Sequence, residues 1–358
     1  MHTRVNSDLY TRLYQLCQQG GLSVNDTTEI SFSEQGRIHQ VYLLQTGCHL
    51  SVIQCLNPRV INDATALERL TNTVLAPALL APQLLPWPAT GSCVLATSEG
   101  SWVNRSYIEG EALTTKLDVA LFEAMANTLK HFHKSLSVMS LLQSGFTGVD
   151  PWSGDAAESL RRRVDGGDVC SSIEQEVLVT WASCRNKISD TDWVKDNDNV
   201  VVHRDAKPSN FILRPNGSLT LIDFDTIGIG DPAMDLGEIM RAWLSSDESD
   251  TNIGLNSIST SDSVCDGNQF RRKLLTNSVD CTLALKALET GYKDDDMTTH
   301  RIKQSAMQCC LIQCERFLQD HFMNDQYYRV RNHGDNLLRA IKQIEAWKIL
   351  DGSAPIEP

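Results

Sequence analysis

The chain of 358 residues has no run of about 18 consecutive apolar residues, so nothing in it reads as a membrane-spanning helix. Its opening residues, Met1 to Asp8, lack the apolar core of a secretory signal, and the expected compartment is the cytoplasm. Positive charge is scarce as well. Lysine and arginine total 32 against 45 aspartate and glutamate, a net charge of −13, which argues against a nucleic-acid or anionic-membrane surface. Eleven cysteines run from Cys17 to Cys314 without Cys-x-x-Cys or paired-histidine spacing. They read as reduced thiols, with Cys309, Cys310 and Cys314 packed on a helix face. No internal repeat is visible. The length suits one large domain or two moderate ones.

What is present centres on Val200 to Trp243. The β-branched run Val200-Val201-Val202 breaks into a polar loop, His203 to Asn210. A strand from Asn210 to Arg214, a turn at Pro215-Asn216-Gly217 and a strand from Leu219 to Ile222 read as a hairpin. Asp205, Asn210 and Asp223 thus fall at strand ends or in the adjoining loop. Phosphoryl transfer needs a carboxylate to orient the acceptor hydroxyl and take its proton, and hard oxygen ligands for magnesium on the phosphates. Asp205 suits the base, and Asn210 and Asp223 suit the metal ligands. Lys207, two residues past the base, suits the charge on the transferring phosphate.

The string His203-Arg204-Asp205-Ala206-Lys207-Pro208-Ser209-Asn210 resembles the kinase-like phosphotransferases, a group that includes protein kinases, aminoglycoside phosphotransferases and choline kinases. Asp223-Phe224-Asp225 replaces the Asp-Phe-Gly of protein kinases, and Gly230-Asp231-Pro232-Ala233-Met234-Asp235-Leu236 resembles the helix start of the small-molecule branch. Asp231 reads as a helix cap. The resemblance makes Asp235 a brace for the catalytic loop. It implies ATP and Mg²⁺ as cofactors and an α+β, protein-kinase-like two-lobed fold. Residues 1–110 are the expected antiparallel-sheet N-lobe with the hinge, and 111–358 the helical C-lobe with the acceptor pocket. Ser106, Tyr107 and Ile108 fall in the implied hinge, whose backbone pairs with adenine.

Such enzymes usually carry a lysine on the third strand to clamp the phosphates, yet the first lysine here is Lys116. Gln54 stands where that lysine is sought, and Arg37 or Arg59 is an alternative holder. Ile53-Gln54-Cys55-Leu56-Asn57 followed by Val60 is similar to a segment of the N-acetylhexosamine 1-kinases, which also lack the lysine. Trp102 through Arg105 to Ile108-Glu109-Gly110 resembles their approach to the hinge. Glu315 to Asp320, Asp325 to Tyr328 and Asn336 to Ala340 resemble their C-terminal run. Gly36-Arg37-Ile38-His39-Gln40-Val41-Tyr42 departs from it by losing an Asn-Asp pair.

Elsewhere, periodicity predicts helices over Asn6–Gln19, Leu117–Leu136, Ala156–Arg163, Ser171–Ile188, Phe270–Tyr292, His300–Phe322 and Asn336–Ile349. The last carries Leu337, Leu338, Ile341, Ile344 and Trp347 as its apolar stripe. His133 reads as packing or a cap at its helix end. Ser245 to Asn268 is polar and reads as a loop or insertion beside the site. Arg316 and Tyr328 are candidates for binding an acceptor's hydroxyls, with a structural salt bridge and a core tyrosine as the alternatives. The favoured function is an ATP-dependent sugar kinase, N-acetylhexosamine-like. An aminoglycoside or choline-like amino-alcohol kinase, or a nucleotide-binding pseudokinase, remains open. The expected partner is a small-molecule acceptor, with no nucleic acid and no membrane.

Overall fold

The computed structural model describes residues 2–33, 39–58, 61, 63–75, 82–146, 155–166, 171–188, 200–245 and 280–353. The N-terminal region is one antiparallel sheet with a helix against it. Its elements are β1 (His2–Arg4), α1 (Ser7–Gln19), β2 (Glu29–Ser33), β3 (Gln40–Thr46), β4 (His49–Cys55), α2 (Ala64–Leu70), β5 (Leu84–Leu85), β6 (Val94–Thr97) and β7 (Gly100–Ser106). The strands lie in the order β1-β2-β3-β4-β7-β5, and β6 also pairs with β7. Asn6 starts α1 by accepting the amide hydrogen of Leu9 at 2.9 Å. The apolar face of α1, Leu13, Leu16 and Cys17, meets Ile30, Tyr42, Leu44, Ile53, Trp87 and Trp102 in a small core of its own.

The chain leaves the sheet through residues 107–110 and adds β8 (Glu111–Ala112) to the edge of a hairpin far ahead in sequence. Gly110 makes this passage. Its φ is +143°, and a Cβ there would stand 2.3 Å from the Leu213 carbonyl oxygen. Four helices follow: α3 (Val119–Ser135), α4 (Val138–Ser144), α5 (Asp155–Gly166) and α6 (Ser172–Lys187). Next come β9 (Val200–Val202), β10 (Phe211–Leu213), β11 (Leu219–Leu221) and β12 (Gly228–Gly230). After β12 the elements among the described residues are α7 (Pro232–Ser245), α8 (Cys281–Tyr292), α9 (Thr299–Phe322) and α10 (Asp335–Asp351). The fold is therefore α+β, with a sheet-bearing N-terminal lobe and a helical C-terminal lobe.

The C-terminal lobe is organised around α7, which is buried along nearly its whole length. Gly237 lets α9 lie against it, since a Cβ there would stand 2.6 Å from the Ala306 amide nitrogen. The predicted helices are present, with Phe270–Tyr292 described only from residue 280 onward. Cys309, Cys310 and Cys314 are buried, and burial pushes all three thiols up.

Three features differ from the sequence reading. The inward face of α10 is Asn336, Ala340, Gln343, Ile344 and Trp347, while Leu337 is only half-buried. Asn336 turns inward because two carboxylates wait for its amide, Asp320 at 2.9 Å and Asp325 at 2.8 Å. The Val200–Val202 run pairs antiparallel with β12, a partner with too little side chain to signal itself. The short elements α2, α4, β1, β5 and β6 carry too few residues for periodicity to reveal them. Residues 246–268 of the polar insertion lie outside the described residues. Among those described, no helix is long and apolar enough to cross a membrane.

Candidate active site

The catalytic loop joins β9 to β10, and its shape is set by one buried carboxylate. Asp235, in the first turn of α7, is fully buried and accepts the amide hydrogens of His203 and Arg204, both at 2.7 Å. It also accepts from His133 Nε2 at 2.9 Å, and His133 Nδ1 in turn accepts from the Tyr292 hydroxyl at 2.9 Å. His133 thus braces the brace, where the sequence suggested packing or a cap. Its partners are 102 and 159 residues away, so no local pattern could announce them. Asp231 caps α7 by accepting from Ala233 N at 2.8 Å and is paired with Arg301 at 2.7 Å.

His203 holds the loop to the hairpin. Its Nε2 donates to the Ile222 carbonyl at 2.9 Å, which leaves Nδ1 to accept from Asp205 N at 3.3 Å. The rings of Phe132, His203 and Phe224 pack together beneath it, with Phe132 and Phe224 stacked at 5.7 Å. This support keeps two non-glycine residues in the left-handed region, Arg204 at φ 66° and Asp223 at φ 69°. Each such conformation costs on the order of 1–3 kcal/mol and persists only where the surroundings over-determine it. Both flank the groups whose placement matters.

Asp205, Lys207 and Asn210 converge. Lys207 Nζ lies 2.5 Å from Asp205 Oδ2, and Asn210 Nδ2 donates to the same oxygen at 3.0 Å and to the Asp205 carbonyl at 2.7 Å. The Asp205 side chain remains about a quarter open, at 26% exposure. Burial acts to raise its carboxyl, but the Lys207 charge and hydrogen bond, with His203 and Arg241, outweigh this and lower it. Asn210 is tied to the hairpin by its carbonyl, which accepts from Ile222 N at 2.9 Å. Asp223 follows directly. Burial raises its carboxyl, and the nearby charges of Asp225 and Asp205 add to that. Neither the Asp223 carboxylate nor the Asn210 amide oxygen has a hydrogen-bond donor among the described residues. These are hard, uncommitted oxygens, and they fit a magnesium ion by donor type.

The two lobes meet at Asp225. Arg105, near the end of β7, places Nη2 2.7 Å from Asp225 Oδ1, and His39 Nε2 lies 3.2 Å from Oδ2. Gln54 accepts from Arg105 Nε at 2.7 Å and aims its amide nitrogen at Asp225 Oδ2, 3.5 Å away. All four side chains are buried. Burial opposes the charge on Asp225, but Arg105 and His39 overcome it and hold the carboxyl well below the usual range. Gln54 is therefore a bracket for a cation rather than a lone group in the cleft. Sequence reasoning missed Arg105 as the cation because it sits on the neighbouring strand, its Cα across from Val52.

The hinge candidates follow Arg105. Ser106 pairs with Gln83 through backbone and hydroxyl bonds of 2.9 and 3.0 Å. Tyr107 and Ile108 make no backbone-to-backbone hydrogen bond among the described residues. Arg37 and Arg59 lie outside those residues. Arg316 lies 5.6 and 5.5 Å from the ring centres of Tyr327 and Tyr328. Tyr328 is buried, and Gln313 donates to its hydroxyl at 3.0 Å. The charge of Asp205 is felt at both Arg316 and Tyr328. Glu238 and Arg241 form a buried pair close behind, with Gln343 accepting from Arg241 at 3.0 Å.

The sequence profile of the Phosphotransferase enzyme family matches residues 30–254, more than half of the chain and all of the catalytic loop. No curated protein matches the chain in sequence. Solved structures of similar fold include a microcompartment-associated aminopropanol kinase, at 13% identity and a TM-score of 0.62, with 96% of each chain covered. A spectinomycin phosphotransferase in complex with ADP and spectinomycin follows at 12% and 0.60, covering 95% of this chain and 97% of that one. The ethanolamine kinase of Plasmodium vivax stands at 13% and 0.60, covering 98% and 92%. At such identities the likeness is one of fold.

Proposed function

The chain belongs to the phosphotransferase enzyme family and is a small-molecule phosphotransferase, and from that premise we propose a transfer from ATP to a hydroxyl of a sugar-like acceptor. The observation that carries this reading is the convergence of Asp205, Lys207 and Asn210 beside Asp223. Asp205 orients the acceptor hydroxyl and takes its proton as the oxygen attacks the γ-phosphorus in line, while the bond to the β–γ bridging oxygen breaks and ADP leaves. Its low proton affinity suits an orienting base, which receives the proton as the oxygen–phosphorus bond forms. Lys207 turns from Asp205 to the γ-phosphate, where its charge offsets that of the transferring group. Asn210 and Asp223 hold magnesium through the free oxygens described above. Magnesium held there would supply positive charge against that of the phosphates.

Arg105 takes the position of phosphate-facing cation that a strand lysine fills in other kinase-like enzymes. It is rigidly aimed by Gln54, it pairs with Asp225, two residues beyond Asp223, and Nη1 has no partner among the described residues. Tyr107 and Ile108 offer free backbone groups to adenine. The acceptor side supports a neutral polyhydroxylated molecule over a quaternary ammonium. The two tyrosine faces best placed to take a ligand cation already face the Arg316 guanidinium, and Arg241 adds a second positive group. The sequence resemblance to N-acetylhexosamine 1-kinases points the same way, whereas the similar structures named above act on amino alcohols or an antibiotic.

A screen of ADP release over N-acetylhexosamines, other sugars, amino alcohols and aminoglycosides tests both levels. Turnover with a sugar and none with ethanolamine or choline is the expected result. Preference for an amino alcohol would overturn the acceptor assignment alone. Absence of ADP release with every acceptor, together with no nucleotide binding, would overturn the donor as well.

A further inference from the structure

The turn that presents Tyr327 and Tyr328 contains a second set of convergent ligands, away from the catalytic loop. His321 ends α9, Asp325 follows in the turn, and His333 precedes α10. One ligand atom from each lies within 4.8 Å of the other two. His321 is the anchor. Its side chain is 4% exposed, and Nε2 is held 2.8 Å from Glu174 Oε1 in the first turn of α6. Glu174, whose other carboxylate oxygen accepts from the Ser171 hydroxyl at 3.0 Å, takes the Nε2 hydrogen. Nδ1 is thereby left with its lone pair, and it is a buried polar atom with no hydrogen-bond partner. A buried, unpartnered acceptor is costly unless something fills it.

A histidine fixed through one nitrogen by a carboxylate, with the other nitrogen free, is the arrangement by which proteins prepare an imidazole for a metal. The other two ligands complete the set. Asp325, at 6% side-chain exposure, is fixed by Asn336 Nδ2 at 2.8 Å, and His333 Nδ1 lies 2.8 Å from its Oδ2. The His333 ring stacks on that of His321 with 4.8 Å between centres. We propose that His321, Asp325 and His333 bind one divalent transition-metal ion, best zinc, with water as the fourth ligand. Two imidazoles and a carboxylate suit zinc and disfavour magnesium, which prefers oxygen ligands only. Tetrahedral ligands at about 2.0–2.1 Å stand closer together than this set does, so a ligand moves on loading. His333, 65% exposed, is free to do so.

The ion would tie the end of α9 to the start of α10 across the turn that carries the tyrosines around Arg316. The site is separate from the catalytic magnesium ligands, and its existence does not depend on the reaction assigned above. The test is competitive titration of Zn²⁺ into the full chain against a chromophoric chelator, with Mg²⁺ as the control, followed by absorption of the Co²⁺-loaded protein. One equivalent of zinc is expected, weakened at least tenfold by His333→Ala and 10- to 100-fold by Glu174→Gln. Basal phosphotransfer should be unchanged in His333→Ala, because that residue touches no part of the catalytic loop. The cobalt spectrum should show nitrogen and oxygen ligands without a thiolate charge-transfer band. Zinc binding that survives His333→Ala undiminished, a thiolate band, or no stoichiometric binding would each overturn the site. Circular dichroism separates the last case from misfolding, and zinc binding that persists in folded His321→Gln would overturn the site as well.

Discussion

The loop between β9 and β10 and the cleft-facing edge of the N-terminal sheet both contribute to the proposed phosphotransfer site, yet they are built in opposite ways. The loop's reactive groups are packed into eight consecutive residues and held by a buried carboxylate, Asp235, with every one of its partners in place. The sheet's contribution is assembled from three strands' worth of sequence, His39, Gln54 and Arg105, and becomes a unit only when Asp225 arrives from the other lobe. A local device tolerates motion between the lobes. A shared one depends on their closing. On the proposed reading, the chemistry resides in the C-terminal lobe, and the N-terminal lobe governs whether nucleotide is held.

The largest expected effect follows from that division. Asp205→Asn keeps the volume and a hydrogen bond to Lys207 but removes the proton acceptor. Turnover should fall by about 10³-fold or more, roughly 4 kcal/mol of transition-state stabilisation, while circular dichroism shows the fold intact. A folded variant with wild-type turnover would dissolve the distinction between the lobes. Asp235→Ala comes next. It strips His203 N, Arg204 N and His133 of their acceptor in a fully buried place and should cost about 3–5 kcal/mol in urea denaturation.

That difference in construction also explains what could be read from the sequence. The placement of Asp205, Lys207, Asn210 and Asp223 was legible because the roles proposed for them require fixed spacing along a loop and a hairpin, and the hairpin carries its own turn signal at Asn216-Gly217. The two-lobed α+β fold was implied by the family resemblance that the same stretch carries, with the helical periods downstream in agreement. Arg105 and His133 were not legible, because each works through a partner at least 100 residues away. Gln54 was found for its position, and its bond to Arg105 on the neighbouring strand was not legible. The acceptor stays open for a related reason: Arg316, Tyr327 and Tyr328 form an arrangement whose polarity depends on which ring faces which charge, and spacing does not record that.

Not every buried carboxylate of the C-terminal lobe is satisfied as Asp235 is, and pH separates them. Glu315 is 1% exposed, and burial pushes its carboxyl up to about 7 despite Arg185 at 3.7 Å and a hydrogen bond from Trp181. Its second oxygen has no partner. The folded state thus keeps its proton where the unfolded state, with an ordinary carboxyl, releases it. More protons bound when folded means that stability falls as pH rises, here between about 4.5 and 7, by up to ~3 kcal/mol, and is level above that. Glu315→Gln should remove this slope. Denaturation of both proteins at pH 5 and pH 7.5 measures it, and parallel pH profiles would show that Glu315 is ionised in the folded protein.

Arg105 sharpens the comparison at its finest point, since a cation that merely joins the lobes and one that holds phosphate predict different losses. Replacing it with alanine alone confounds the two by leaving Asp225 buried with only His39 and Gln54 beside it. The informative variant is Arg105→Met combined with Asp225→Asn, which removes both charges and keeps the volume. If Arg105 faces the phosphates, this variant binds adenosine as the wild type does, but its KM for ATP rises about 10- to 100-fold, roughly 1.4–2.7 kcal/mol, in the range of a buried charge-assisted contact. Arg105→Lys should recover part of that loss, because a shorter point charge still reaches the cleft but lacks the fork that Gln54 aims. Equal weakening of adenosine and ATP would instead mark Arg105 as a structural link. The triphosphate would then have to be held by Lys207 and magnesium alone, and the asymmetry between the lobes would be greater than the present geometry implies.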